Sequence, residues 1–119
     1  MLKIYQYKNC NTCKKALNFL RDSSIPFESI SIVDQPPSKD EILRMISYYN
    51  GNIKPLFNTS GQLYREMNIK SKIQEFTTDE AVELLASHGK LIKRPFAIDS
   101  EHGLLGFKES VWAEILTKN

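Results

Sequence analysis

Long hydrophobic runs are absent from this chain of 119 residues. No stretch reaches the roughly 18 apolar residues that a membrane-spanning helix needs, and no apolar segment of signal-peptide length stands near the start. The sequence therefore predicts a cytoplasmic protein without a membrane segment. An excess of one charge is absent too, since 16 Lys and Arg stand against 14 Asp and Glu, spread along the chain. This balance argues against direct binding of nucleic acid.

Cysteine is scarce, with only two residues, Cys10 and Cys13. The loop they would close is very short, and a disulfide stabilises a fold mainly by closing a long one. A structural disulfide is therefore not expected, least of all in the reducing cytoplasm. The remaining composition, 41% hydrophobic and 25% charged, is that of an ordinary globular protein. At this length we expect one domain over residues 1–119, without repeats or a linker.

The first predicted elements are a strand, a helix and a strand. β-favouring side chains at residues 2–7 predict the first strand, and apolar residues at helical spacing after Cys13 predict a helix that ends before Pro26. Alternating apolar and polar residues within 27–33 predict the second strand. A unit of this kind normally pairs its two strands in parallel through a right-handed crossover.

Residues from about 36 to 90 are predicted to be mostly helical. Two amphipathic segments each begin with the spacing of a capping box, in which two side chains satisfy each other's free backbone N–H groups. The pairs are Ser38 with Glu41 and Thr77 with Glu80. A short helix is expected over residues 62–68. Gly51 and Gly89 stand where left-handed residues would end the two capped helices.

The strand pattern returns at residues 95–98 and, after a polar turn, continues at 104–107, which predicts a β-hairpin. Apolar residues from Val111 onward then predict a last amphipathic helix. The fold class is therefore α/β, with the element order βαβ, a helical insertion at about 36–90, and ββα.

The two cysteines form a CxxC pair, Cys10-Asn11-Thr12-Cys13, between the first strand and the first helix. A helix N-terminus has partial positive charge and free N–H groups, both of which favour a thiolate over a thiol. We expect Asn9 or Asn11 to be the N-cap. Cys10 is then an exposed nucleophile, and Cys13, on the apolar stripe of the helix, is a buried resolving thiol.

Two other interpretations of the cysteine pair stay open. Cysteines also pack as small apolar residues, and a CxxC pair can supply half of a zinc site. Zinc would need two further ligands, and the two histidines, His88 and His102, are 14 positions apart without a matching motif. The position between a strand and a helix favours redox chemistry without a metal.

Three segments of the chain resemble the family of arsenate reductase-like and Spx-like proteins. They are the strand leading into residues 10–16, the segment 91–96 and the hairpin 98–106. The resemblance spans nearly the whole chain, and two of its motifs occur together at the family's separation. It implies a thioredoxin-like fold with a helical insertion between the two halves.

The resemblance also implies the remaining site residues. The peptide bond before Pro95 would be cis, with Pro95 facing the catalytic cysteine, and Arg94 would point toward Cys10 to hold an anion or favour its thiolate. Asn11 and Thr12, between the cysteines, are the other expected binding residues. From the residues alone, Pro95 could equally start an edge strand, and Arg94 could be an ordinary exposed arginine.

Arsenate reductases of this family use three arginines around one essential cysteine, and this chain keeps only Arg94. Residues 56–61 contain no arginine where the second would lie, and Phe107 stands where the third would follow. Losing two fixed donors should weaken binding of so charged an oxyanion by on the order of a few kcal/mol. Arsenate reduction is therefore not expected.

The predicted function is thiol-disulfide exchange by a monomer, with protein or small-molecule thiols and disulfides as partners. Glutathione is a candidate co-substrate, and no metal or other cofactor is expected. The alternative comes from the Spx branch, where a redox-sensing regulator binds the C-terminal domain of the RNA polymerase α subunit. Asn50-Gly51 corresponds to a region of polymerase contact, although a glycine also suits any helix C-cap and residues 52–61 differ from Spx.

Overall fold

The computed structural model describes residues 1–117. Its four strands are β1 (Leu2–Gln6), β2 (Phe27–Ser31), β3 (Phe96–Ile98) and β4 (Gly103–Leu105). They form one mixed sheet in the order β2-β1-β3-β4. β1 pairs in parallel with β2 and antiparallel with β3, and β3 pairs antiparallel with β4. The predicted parallel pair and the predicted hairpin are therefore both present.

Helices surround this sheet and account for most of the insertion. They are α1 (Asn11–Asp22), α2 (Lys39–Tyr48), α3 (Gln62–Glu66), α4 (Ile69–Lys72), α5 (Thr78–Ser87) and α6 (Glu109–Thr117). Short 3₁₀ turns lie at Lys54–Leu56, Ile73–Glu75 and Gly89–Leu91. The predicted order is confirmed, and the fold is thioredoxin-like α/β with a helical insertion. Within residues 1–117, no helix is both long and apolar enough to cross a membrane.

The two faces of the sheet bury different sets of side chains, because successive residues of a strand point to opposite sides. Ile4 and Ala97 pack with Leu20 of α1 and Trp112 of α6 in one core. Tyr5 lies on the other face, in the larger core that the insertion covers. β1, one of the two interior strands of the sheet, is thus buried on both faces. The loop that follows β1 therefore begins from a buried strand.

Both predicted capping boxes are present. In α2 the Ser38 hydroxyl accepts the Glu41 N–H at 3.1 Å, and the Glu41 carboxylate accepts the Ser38 N–H at 3.0 Å. In α5 Thr77 and Glu80 make the same two bonds at 3.1 and 2.8 Å. These bonds satisfy N–H groups that a helix start otherwise leaves free. The insertion helices are therefore fixed at their starts by local sequence.

Glu41 does more than cap α2, because it is only 7% exposed and its carboxylate contacts two side chains of β1. The Tyr5 hydroxyl donates to its carboxylate at 2.6 Å, and Lys3 Nζ lies 3.2 Å from it. Burial raises the pKa of Glu41, but the bonds from Tyr5, Ser38 and Lys3 outweigh burial and lower it. Burial, together with the negative charge of Glu41, raises the pKa of Tyr5. One carboxylate thus ties β1 to α2.

Some local boundaries differ from the predictions. β2 ends at Ser31 rather than near residue 33, and β3 begins at Phe96, after Pro95. Gly51 has the predicted left-handed conformation, with φ of +85°. Gly89 is not a left-handed cap, because α5 ends at Ser87 and Gly89 begins a 3₁₀ turn. A side chain at Gly89 would lie 2.0 Å from the Ile32 carbonyl oxygen, so this glycine permits close backbone packing.

Candidate active site

Cys10 itself is the N-cap of α1. The chain leaves β1 and turns so that the Cys10 N–H donates to the Tyr7 carbonyl at 3.1 Å. Cys10 has an extended backbone (φ −110°, ψ 110°), and its sulfur accepts the N–H of Cys13 at 3.2 Å. Its carbonyl accepts the N–H of Lys14 at 3.1 Å. The sulfur therefore occupies the position of a capping oxygen, over the partial positive charge of the helix start.

The predicted N-caps, Asn9 and Asn11, are both wrong. Asn11 is already the first residue of α1, and Asn9 lies in the turn before Cys10. Asparagine is a far commoner N-cap than cysteine, so residue preference alone pointed to the neighbours. The turn that follows β1 determines which residue is the N-cap, since it places Cys10 directly before the first residue of α1.

Cys13 lies one helical turn further and is fully buried. The pKa of its thiol is raised to about 12, chiefly by burial and next by the hydrogen bond with Cys10. A hydrogen bond at the Tyr7 backbone and the positive charge of Arg94 act in the opposite direction. Cys13 is therefore a neutral thiol near pH 7, while Cys10 is partly exposed, and the two are not bridged.

Arg94 approaches the cysteines from the segment before β3. Its guanidinium carbon lies 4.5 Å from the centre of the Tyr7 ring, within the range of a cation–π contact. Tyr7 thus touches three parts of the site: its ring contacts Arg94, its carbonyl accepts from Cys10, and its backbone reaches Cys13. The sequence predicted no role for Tyr7. The only sign of one was an aromatic residue at the end of the strand predicted over residues 2–7, three positions before Cys10.

The peptide bond between Arg94 and Pro95 is cis, as the resemblance implies. Pro95 is buried, and its carbonyl accepts the N–H of Gly106 at 3.0 Å, just after β4. This bond ties the Arg94 segment to the hairpin. Arg94 is consequently positioned in two ways: its neighbour Pro95 is hydrogen-bonded to Gly106 after the hairpin, and its own side chain contacts the Tyr7 ring.

A cleft of about 290 Å³ lies beside the cysteine pair. Thr12, between the two cysteines, lines it together with Arg94, Lys93 and Trp112. Asn11 is exposed in the first turn of α1 and does not line this cleft. Of the two predicted binding residues between the cysteines, the structure thus brings one to the cleft.

The two histidines lie in different surroundings. His88 is an exposed residue at the end of α5, and the His102 ring lies 3.1 Å from the Asp99 carboxylate in the β3–β4 turn. Across residues 1–117, no three His, Cys, Asp or Glu side chains are grouped so that they could hold a metal ion.

Known proteins are similar to this chain in sequence and in architecture. The model of the ArsC family matches residues 5–115. YusI of Bacillus subtilis is 43% identical over 95% of this chain and 96% of its own length. The global transcriptional regulator Spx of Streptococcus mutans is 25% identical over 92% of this chain and 78% of its own. An ArsC-family-related protein of Bacteroides fragilis, known from a crystal structure, is 36% identical with a TM-score of 0.89, and the match covers 96% of both chains. The chain therefore belongs to the ArsC family.

Proposed function

We propose that the protein performs thiol-disulfide exchange in the cytoplasm, with Cys10 as the attacking thiolate and Cys13 as the resolving thiol. The observation that supports this most directly is the inequality of the two sulfurs. Cys10 is partly exposed at the start of α1, where its sulfur accepts a backbone N–H. Cys13 is buried, and its pKa of about 12 keeps it protonated. Since a thiolate attacks and a thiol does not, the first step falls to Cys10.

The reaction balances in two steps. The Cys10 thiolate attacks one sulfur of a disulfide, which forms a mixed disulfide on Cys10 and releases the other sulfur as a thiolate. Cys13 then loses its proton and attacks the Cys10 sulfur, which forms the Cys10–Cys13 disulfide and releases the second thiolate. The protein dithiol loses two electrons and two protons, and the substrate becomes two thiols. Glutathione is a candidate reductant for the return reaction.

Arg94 and Tyr7 have supporting roles in this proposal. The charge of Arg94 favours the thiolate form of Cys13, which the second step requires. The Tyr7 ring holds the guanidinium from one side. Because Arg94 makes no ion pair within residues 1–117, its charge is not already neutralised by a carboxylate. Arg94 is therefore available to stabilise sulfur anions as they form.

Arsenate is not the proposed substrate. Leu56 and Phe57, in the region where a second arginine would lie, are buried in the core. Phe107, where a third would lie, packs against Trp112 with ring centres 5.1 Å apart. Apolar packing thus occupies the positions where extra oxyanion donors would be needed.

Trapping a mixed disulfide tests the exchange mechanism. In a Cys13→Ser variant the first step can occur and the second cannot, so an adduct on Cys10 should accumulate with a disulfide substrate. Intact-mass spectrometry measures that adduct, and a Cys10→Ser variant is the matched control that should form none. If the Cys13→Ser protein forms no adduct while an alkylating reagent still modifies Cys10, the exchange mechanism is wrong.

A second candidate function is redox-dependent regulation through the C-terminal domain of the RNA polymerase α subunit. The similarity to Spx over 92% of this chain supports it. A pull-down of purified polymerase α subunit with the reduced protein and with the oxidised protein tests it, and a Cys10→Ser, Cys13→Ser double variant is the control. Retention that depends on the redox state would favour the regulator. Equal absence in both states would reject it.

A further inference from the structure

The cleft beside the cysteine pair is lined by cations from two separate segments. Lys93 and Arg94 come from the segment before β3, and Lys108 comes from the connection between β4 and α6. Among the described residues, no aspartate or glutamate lines the cleft. Because these cations share one small concavity, their charges add in the space between them.

In the part of the chain that the structure describes, none of the three cations is paired elsewhere. Within residues 1–117, Lys93, Arg94 and Lys108 make no ion pair, whereas Lys3 and Lys39 each lie against a glutamate. The contact of Arg94 with the Tyr7 ring involves no anion. The cleft thus presents positive charge that no side chain of the described chain neutralises.

The Lys93 side chain passes over Gly106 at one wall of the cleft. Gly106 has φ of +68°, and a Cβ atom there would lie 3.0 Å from Lys93 Cε. The absence of a side chain at Gly106 therefore leaves room for the Lys93 stem. Beneath it, the Trp112 indole N–H donates to the Gly106 carbonyl at 3.1 Å, which fixes the apolar floor.

We propose that this cleft binds the carboxylate groups of a small anionic disulfide, and that Lys93 and Lys108 select such substrates over neutral and cationic ones. The inference rests on the proposed thiol exchange and names its substrate class. A volume of about 290 Å³ suits a ligand of small-molecule size rather than a folded partner. Thr12 lines the same cleft and stands two residues after Cys10, so a disulfide bound there reaches toward the start of α1.

The chemical step is the exchange already described, with a carboxylate on each half of the disulfide. Cys10 takes one half as the mixed disulfide and releases the other as a carboxylate-bearing thiol. Attack by Cys13 then releases the second half. Lys93 and Lys108 form no covalent bond and neither donate nor accept a proton. They raise the local concentration of the anionic substrate and orient it.

Three small disulfides of similar length test the charge selection: dithiodipropionate with two negative charges, hydroxyethyl disulfide with none, and cystamine with two positive charges. The rate at which each oxidises the reduced protein is divided by its rate with a free model thiol, which removes differences in leaving-group reactivity. In low salt the normalised rate for the dianion should exceed that for the dication by about tenfold or more. The ratio should fall as salt screens the charges.

Two variants and a matched control locate the effect. Lys93→Gln and Lys108→Gln should each slow oxidation by the dianion about threefold to tenfold and leave the neutral disulfide within about twofold. Lys70→Gln, an exposed lysine on α4 outside the cleft, should change neither rate. Equal normalised rates for the three disulfides, or unaltered rates in both cleft variants, would overturn the inference while exchange itself stands. Failure of all three disulfides to oxidise the protein would overturn the proposed function as well.

Discussion

Helices α1 and α2 begin in different ways. α2 begins with a complete capping box, two oxygen bonds to backbone N–H groups, and its Glu41 is further held by Tyr5 and Lys3. α1 begins at Cys10, whose single capping bond is made by sulfur, a weak acceptor. The N–H groups at the start of α1 are therefore less well satisfied by the protein. The start of α2 stabilises the fold, whereas the start of α1 leaves its partial positive charge available to the reactive Cys10 sulfur.

α5 repeats the arrangement of α2, with a box of Thr77 and Glu80 on the exposed side of the insertion. The capping boxes thus belong to the insertion, whereas the cysteine cap belongs to the βαβ half. Because β1 is an interior strand of the sheet and is buried on both faces, a weak cap at the start of α1 is tolerated. Packing holds the helix start where the cap does not.

The largest effect that would test this contrast is expected for Cys10→Ser. Loss of the attacking sulfur should slow disulfide exchange by at least about a thousandfold. The free energy of unfolding of the reduced protein should stay equal or rise by up to about 1 kcal/mol, because serine is the better N-cap. Exchange assays and urea unfolding measure the two quantities. A variant destabilised by more than about 1 kcal/mol would mean that the sulfur cap stabilises α1 as oxygen caps stabilise the insertion helices.

The two capping glutamates should differ in the next largest effect. Glu41→Ala removes bonds from Tyr5 and Ser38 in a buried setting, and we expect it to lower the free energy of unfolding by about 2–4 kcal/mol. Glu80→Ala removes one exposed capping bond and should cost about 0.5–1 kcal/mol. Urea unfolding of both variants measures the difference. Equal losses would show that the bond to Tyr5 adds nothing to the box.

The difference between local and long-range contacts also explains what the sequence could predict. Both capping boxes, the order of helices and strands along the chain and the hairpin follow from patterns within a few residues, and the structure has them. Glu41 was predicted as a capping residue, but its bond to Tyr5 joins residues 36 positions apart. No local periodicity reports such a pair, so the second role of Glu41 could not be predicted.

The candidate site shows the same limit. The position of the CxxC pair and the burial of Cys13 follow from the strand-to-helix boundary and the apolar stripe of α1. The contact between Tyr7 and Arg94 depends on β1 and the segment before β3 meeting in the folded sheet. The assignment of the N-cap failed because residue preference was weighed without the turn that precedes Cys10.

Lowering the pH should reduce the free energy of unfolding partly through Glu41, the carboxylate of the buried capping box. The folded pKa of Glu41 lies below its ordinary value of 4.5, since hydrogen bonds from Tyr5, Ser38 and Lys3 outweigh the effect of burial. Its contribution to stability is therefore complete above that ordinary value and is lost as the pH falls through the lower folded pKa. Unfolding free energies measured from pH 7 down to about pH 3 should fall less in Glu41→Gln than in the wild type.

Asp99 is a second acidic group whose contribution should remain in that titration. Burial raises the pKa of Asp99, but bonds from the N–H groups of Glu101 and His102 and from the His102 ring lower it, so part of the acid loss should persist in Glu41→Gln. Identical slopes in Glu41→Gln and the wild type would contradict the role of the buried carboxylate.

The smallest predicted effect is that of removing the Tyr7 ring, which contacts Arg94. Tyr7→Leu removes the ring beside Arg94, and a cation–π contact of about 0.5–1 kcal/mol corresponds to a two- to fivefold change. Because the charge of Arg94 favours the Cys13 thiolate, the loss should fall on the second step, in which Cys13 releases the partner from Cys10. Rapid-quench mass spectrometry of the mixed disulfide formed with hydroxyethyl disulfide measures that step separately.

Tyr7→Phe is the matched variant, since it keeps the ring and removes only the hydroxyl. It should resolve the mixed disulfide within about twofold of the wild-type rate, while Tyr7→Leu is slower. If both variants are equally slow, the hydroxyl rather than the ring supports Arg94. If Tyr7→Leu instead slows only the first step, the ring supports attack by Cys10 rather than release of the partner by Cys13. That result would contradict the proposal that Arg94, held by the Tyr7 ring, favours the Cys13 thiolate in the second step.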